Sequence, residues 1–306
     1  MHIILGDAKE SWSLLICKEL KSRRLPYQII SNPFVQPSLF CWRLDNTQSN
    51  SQISLDEQAP LQSSEISSLF VQRTFGWIDP NGWQPNDYSY MLSEIQASLL
   101  GWIWSLNCPV VNRFPAIMWC RPDLPFLFWQ PLLNKCGLPT LETIITNVND
   151  DAKTFGLMHS KNTSNNVVYG LLTSELRYLI TNDIDWNSLE KMQLLSPVCL
   201  THPHGAPIFV CIIGEKVVWG KSSSRIEHFE PALINFAGLL ELDFLEIVLA
   251  PVNDEIFVIA VYPMPCFEHF NDVARQIISF QIVQVLTGEV DNCHNKLLFS
   301  SQNHFV

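Results

Sequence analysis

The strongest constraint on the fold is a change of hydrophobic period partway along the chain. The apolar run HIIL opens the sequence, helical spacing follows from Ser11 to Leu20 with Trp12, Leu14, Leu15, Ile16 and Leu20 apolar, and YQII resumes as a strand after Pro26. This β-α-β beginning predicts an α/β unit. From Asn166 the pattern becomes short alternating segments, VVYGLL, LRYLIT, PVCLT, PIFVCIIG and KVVWG, which predicts antiparallel sheet.

Between these regions FCWRLD and LFVQR read as strands, and the Ser- and Gln-rich stretch from Asn46 to Ser68 reads as a long solvated loop without a recognition role. A turn-rich DPNGWQPNDY precedes helical spacing from Tyr88 to Leu106, and PVVN is a short strand. A helix from Pro125 to Lys135 is closed by Gly137, and LPTLETIITN gives a turn and strand. The last third predicts a helix from Pro231 to Leu240, strands in FLEIVLA and IFVIAVY with Asn253 and Asp254 at the turn, and a helix from Asp272 to Leu286. The tail after Gly288 reads as irregular. These shifts divide the chain into residues 1–116, 117–203 and 204–306.

With 306 residues, 47% of them hydrophobic and 16% charged, the chain can bury a core large enough for two or three subdomains. Its formal charge of -11 opposes any phosphate backbone. The one dense basic cluster, Lys21, Arg23 and Arg24, falls at the end of a predicted helix, where positive charge complements the dipole. Nucleic acid is therefore not an expected partner. The opening MHIILGDAKESW lacks a basic n-region, and the apolar stretch from Ala97 to Val111 is shorter than the roughly 20 residues of a membrane span. No membrane association and a cytoplasmic location are expected. The nine cysteines contain no Cys-x-x-Cys pair and lie mostly in apolar contexts such as LLICKEL and IFVCIIG. They read as reduced, buried thiols, with no structural zinc site.

The segments NCPVVNRF, CGLPTLETIITN, VVYGLLTSELRYLI, SPVCLTHPHGAPIFVCIIGEKVV and FLEIVLAPVNDEIFVIAVYPMPCF, in this order, resemble the RimK-type branch of the ATP-grasp carboxylate-amine ligases. The resemblance covers most of the chain from about residue 70. It implies an α/β (α+β) architecture in which an N-terminal pre-ATP-grasp subdomain precedes two mixed subdomains flanking a cleft. In such ligases ATP phosphorylates a carboxylate and an amine attacks the acyl phosphate, so the site must neutralise a triphosphate and hold Mg²⁺.

Residue by residue, the resemblance implies a site whose charged groups have been replaced. Gly170 stands at the place of the phosphate-binding lysine, and LLTSELRYLI has no further glycine to let a lid approach phosphate; its Arg177 reads as an exposed strand arginine. Thr201 and His202 fall at the hinge that cradles adenine, and Phe209 stands where an arginine is expected. Val248 and Ala260 occupy the two acid positions and Tyr262 the asparagine position. Glu246 shares a strand face with Val248 and is the substitute metal ligand to consider. Independent replacements at Gly170, Phe209, Ala260 and Tyr262 are better explained by relaxed catalytic demand than by a misplaced register.

Other constellations carry less. His202 and His204 provide two ligands where zinc needs more, and Pro203 and Gly205 read as a turn. Cys266, Glu268 and His269 contain a thiol and a base without an orienting group, so structural roles are the default. Tryptophans 77 and 83 read as core, with a partner-facing patch as the alternative. The leading expectation is a non-catalytic ATP-grasp protein that engages a protein or peptide partner in a biosynthetic complex and needs no cofactor. The alternatives are an active ligase using ATP and Mg²⁺ with Lys161, Lys221, Arg225 and Glu246, or an ATP sensor with Tyr169 and the backbone at Leu200 and Thr201 as an adenine slot. The nucleotide-binding candidates across these alternatives are Tyr169, Leu200, Thr201, His202, Lys221 and Arg225.

Overall fold

The computed structural model describes residues 1–31, 33–34, 39–45, 49–54, 60–72, 81–115, 118, 126–159, 167–171, 178–180, 183–201, 205–220, 226–252 and 255–290. The chain begins with β1 (His2–Leu5), α1 (Ser11–Ser22) and β2 (Tyr27–Ile30), as the hydrophobic period predicts. Then come β3 (Leu39–Leu44), β4 (Ser49–Ser54), β5 (Leu61–Gln62), β6 (Ser68–Val71), α2 (Pro85–Ser105) and β7 (Val110–Val111). Strands β2-β1-β6-β7 form a parallel sheet in that order. Every residue of β1 and β6 is buried, as expected of parallel strands covered on both faces. Ile3 and Leu5 pack toward Leu99, Trp102 and Ile103 of α2, whereas Ile4 faces Trp12, Ile16 and Leu20 of α1.

The polar stretch expected to be a loop instead contains β4, β5 and a 3-10 turn, Ser63–Glu65, among its described residues. Antiparallel pairing of β4 between β3 and β5 makes a small sheet that rests on α2. Trp102 donates its indole N–H to Ser51 Oγ at 2.9 Å and meets Phe40 edge-on at 5.7 Å. Gly101 lets Trp42 close in, since a Cβ there would stand 3.0 Å from the ring. Cross-strand and tertiary contacts override the low apolar content of SNSQIS.

The middle of the chain supplies α3 (Phe126–Lys135), β8 (Thr143–Thr146), α4 (Asn149–His159), β9 (Val167–Leu171), β10 (Tyr178–Ile180), α5 (Asp183–Gln193) and β11 (Val198–Thr201). Strands β10-β9-β11-β8 form the expected antiparallel sheet. Helix α5 departs from the expectation of strands alone after Asn166, and α4 lies before that region where no element was expected. Their apolar faces are narrow: Ala152 and Phe155 of α4 and Leu189 of α5 join Val198 and Leu200 in a small core.

The final section contains β12 (Ile208–Ile213), β13 (Lys216–Trp219), α6 (Glu230–Leu239), β14 (Phe244–Val252), β15 (Glu255–Tyr262) and α7 (Asp272–Thr287). Strands β13-β12-β14-β15 are antiparallel throughout. One face buries Val210, Ile212, Leu245 and Ile247 with Trp129 of α3 and Leu233 and Phe236 of α6. The opposite face carries Cys211 and Phe244 toward α7 and Trp12. Asn271 caps α7 by accepting the Ala274 N–H at 2.9 Å, and Gly288 ends it in the left-handed region at φ 72°. The predicted Asn253–Asp254 turn and the tail from residue 291 lie outside the described residues.

The parallel sheet is locked to the last sheet by Asn112, directly after β7. Its φ of 62° turns the side chain toward β14, where Nδ2 donates to the Phe244 carbonyl at 2.7 Å and to the Pro263 carbonyl at 3.2 Å. Oδ1 accepts the Phe244 N–H at 2.8 Å. Next to it, Arg113 donates to the carbonyls of Ile103 and Leu106, both at 2.6 Å, and of Cys108 at 2.9 Å, closing the end of α2.

The cysteines depart from the expectation that most are buried. Among those described all are free thiols, but only Cys17 and Cys211 are buried, while Cys41 is exposed on the outer strand of the small sheet. No helix among the described residues is long and apolar enough to cross a membrane.

Replacing Asn112 leaves buried backbone groups unpaired, which costs about 1–3 kcal/mol per group. Asn112→Ala is expected to lower stability in urea unfolding by at least about 2 kcal/mol. Asn112→Gly should cost less because glycine relieves the positive φ. Equal stability of Asn112→Ala and the wild type would remove this lock from the account.

Candidate functional site

The register of the last sheet brings together the positions singled out from the resemblance. Phe209 lies opposite Val248, and Val248 opposite Ala260, forming one row across β12, β14 and β15. Cys211, Glu246 and Tyr262 form a second row two residues along. Directly opposed residues and their i±2 neighbours share a sheet face, so all six belong to one surface. A bulge after Val248 pairs Leu249 with Val258 and skips Ile259.

The segment after β15 returns over this surface. The indole N–H of Trp12 holds the Pro265 carbonyl at 2.8 Å, Asn112 holds that of Pro263, and Arg275 Nε donates to the Phe267 carbonyl at 3.1 Å. A 3-10 turn, Phe267–His269, then places the His269 imidazole flat on the Phe209 ring, 3.7 Å between centroids and 17° between planes. Gly220 makes the approach possible. A Cβ there would lie 2.9 Å from the His269 carbonyl and 3.0 Å from Phe209 Cβ.

Glu246 is fully buried beneath this turn, and both its oxygens are engaged. Oε1 lies 2.6 Å from His269 Nδ1, and Oε2 accepts the Cys266 N–H at 2.7 Å. Burial raises the pKa of Glu246, while the Cys266 N–H and His269 oppose the rise. The Cys266 thiol bonds Glu268 at 3.1 Å, and its pKa is raised by burial and by that bond to Glu268. The thiol is thereby held protonated, and the imidazole beside it is turned to Glu246. This geometry positions side chains for one another and does not prime a nucleophile.

A hard cation requires several open oxygen ligands. Phe209, Val248 and Ala260 offer none, Glu246 has both oxygens occupied, and no three His, Cys, Asp or Glu side chains among the described residues converge to hold a metal. On the other antiparallel sheet, Tyr169 pairs with Leu200 and Gly170 with Cys199. The proposed adenine-slot residues are therefore backbone neighbours. The Leu200 side chain is committed to the small core, and Thr201 Oγ1 bonds the Glu142 carbonyl at 3.3 Å. His202, His204, Lys221, Arg225, Lys161, Arg177 and Trp77 lie outside the described residues, and Trp83 is half-exposed.

Sequence reasoning singled out Glu246, Phe209 and His269 separately and missed that they touch. The Glu246–His269 contact spans 23 residues and depends on the return turn, which leaves no mark in hydrophobic periodicity. The short PMPC segment after β15 is the available signal, since closely spaced prolines force the chain to turn.

The raised pKa of Glu246 fixes the sign of a pH effect. Folding favours the protonated carboxyl, so this residue's contribution declines as pH rises from the unfolded value through the raised folded one. The stability of wild type minus that of Glu246→Gln should therefore fall as pH rises above the ordinary glutamate value of 4.5 in thermal unfolding. A difference that rises with pH would show that the ionised carboxylate is the favoured form.

No protein-family model matches the chain, nor does any curated protein. Solved structures do. The macrocyclase MdnC of Microcystis aeruginosa, bound with precursor peptide MdnA, is similar over 94% of this chain and 99% of its own at 15% identity and a TM-score of 0.73. A RiPP-associated ATP-grasp ligase of Chryseobacterium gregarium, in complex with ADP and a leader and core peptide, is similar over 95% and 98% at 13% identity and a TM-score of 0.76. A RimK domain ATP-grasp protein of Sphaerobacter thermophilus covers 93% and 98% at 12% identity and a TM-score of 0.55. Agreement along nearly the whole length, together with the sheet order described above, identifies the chain as having the ATP-grasp fold.

Proposed function

We propose that this protein engages a polypeptide partner in cytoplasmic peptide biosynthesis as a non-catalytic subunit, with its units divided near residues 116 and 203. The observation that carries the reading is the spent carboxylate on the late sheet. Glu246 is the one acid in the two rows of the candidate surface, and it is buried, bonded to His269 and bonded to the Cys266 N–H. The positions that the resemblance assigns to arginine, acids and asparagine carry Phe209, Val248, Ala260 and Tyr262, so a triphosphate with Mg²⁺ would meet apolar and aromatic surface there. Peptide engagement is supported by the bound precursor, leader and core peptides of the similar ligases.

An active ligase would need Glu246 to abandon two hydrogen bonds while buried, a change that costs several kcal/mol before any metal binds. Its cofactors would be ATP and Mg²⁺, which the similar PsnB structures include as Mg with ADP, or as AMPPNP. The sensor reading draws on the pairing of Tyr169 with Leu200, which places the slot residues side by side. It predicts binding indifferent to magnesium.

Calorimetric titration of the full chain with ATP, with and without Mg²⁺, separates the three. The expected result is no nucleotide-dependent heat and no ADP formation. Magnesium-dependent binding with ADP release in the presence of an acid and an amine would overturn the proposal, and magnesium-independent binding would transfer support to the Tyr169–Leu200–Thr201 slot.

A further inference from the structure

The outward face of α7 carries Val273, Ile277 and Phe280 at i, i+4 and i+7, exposed by 67%, 41% and 43%. They form an apolar stripe about 10 Å long on a helix whose opposite face buries Ala274, Ile278, Ile282 and Val283. Arg23 lies over the carboxyl end of the stripe, 4.5 Å from the centroid of the Phe280 ring.

The chain leaves α7 toward this stripe. Gly288, at φ 72°, turns the backbone, and the Glu289 N–H bonds the Gln284 carbonyl at 2.9 Å, more than one turn back along the helix. The Glu289 carboxylate meets Arg23 at 3.2 Å, the same guanidinium that covers Phe280. Beyond Val290 the sequence continues through DNCHNK, which contains the turn-forming residues Asp and Asn, to an apolar group, Leu297, Leu298 and Phe299.

Length permits this group to return to the stripe. An extended chain from Val290 to Leu297 spans up to about 23 Å, whereas Gly288 and Ile277 stand about 16 Å apart along the helix axis. Leu297 and Phe299 would share one side of an extended segment at a spacing of about 7 Å, close to the roughly 6 Å between side chains one turn apart on the helix.

From the stripe, the exit direction and the reach we infer that residues 297–299 fold back over α7 and cover Val273, Ile277 and Phe280, as a strap within one chain. Tethering gives the strap an effective concentration on the order of millimolar, above that of a second copy or a free partner in dilute solution. Chain length and exit point select this occupant, and no charge pairing is required. The strap goes beyond the polypeptide-partner reading and does not depend on it. It reserves this face of α7 for the chain itself and closes it to other partners.

Photocrosslinking of the full chain, with p-benzoylphenylalanine substituted at Ile277, tests the strap; the position is exposed, so its replacement spares the core. Irradiation should join the probe to the peptide holding residues 297–299, in a product of monomer mass whose yield is constant over about a tenfold range of protein concentration. Leu297→Ser/Phe299→Ser in the same chain should lower that yield at least about fivefold. Without the photoprobe, the Leu297→Ser/Phe299→Ser chain should bind an apolar fluorescent dye at least about twofold more strongly than the wild type, and adding Ile277→Ser should remove the gain. A product of dimer mass that grows with concentration would overturn the inference in favour of a second copy. Joining to any other segment, a yield unchanged by the serine pair, or no gain in dye binding would overturn it outright.

Discussion

The amide of Asn112 joins three parts of the chain that are distant in sequence. One side chain, turned by a left-handed backbone at the end of the parallel sheet, satisfies both the N–H and the carbonyl of Phe244 and also holds the Pro263 carbonyl. The start of β14 and the segment leaving β15 are therefore indexed to the same point. Because the return turn begins at Pro263, the position of His269 over Phe209 follows from that lock together with the Trp12 hold on Pro265. Hydrogen bonds of this kind count most where water cannot replace them, and Asn112 is wholly buried.

Burial also governs the chemistry of the late sheet. A carboxylate removed from water is costly unless its lone pairs are used, and the Cys266 N–H and His269 use those of Glu246. The aromatic stack above it further excludes solvent. A metal-binding acid has the opposite requirement: its oxygens must remain open and be surrounded by others. The same strand geometry that could gather acids into a cation site here gathers Phe209, Val248 and Ala260.

Much of this architecture was legible where periodicity was strong. HIIL, the spacing of α1 and the apolar runs of the last sheet announce their elements because both faces, or one broad stripe, are buried. The strand SNSQIS escaped notice because its order comes from pairing to β3 and from the Trp102 bond to Ser51. Helices α4 and α5 escaped because each buries few apolar side chains. Cys41 was misread because an apolar context does not distinguish the outer face of an edge strand from a core. At the candidate surface the sequence supplied the rows of residues, while the imidazole that closes over them arrives by a turn whose position depends on Asn112 and Trp12.

The bond between Trp12 and the Pro265 carbonyl has a consequence for the order of folding. Its partners are 253 residues apart. At a synthesis rate of roughly 5–20 residues per second, the first helix waits on the order of 10 to 50 s before the segment that covers its tryptophan is made. Until then Trp12, Ile16 and Leu20 lack the helix α7 that completes their core. The nascent amino-terminal unit is thus an incomplete body with an open apolar side until α7 has been made.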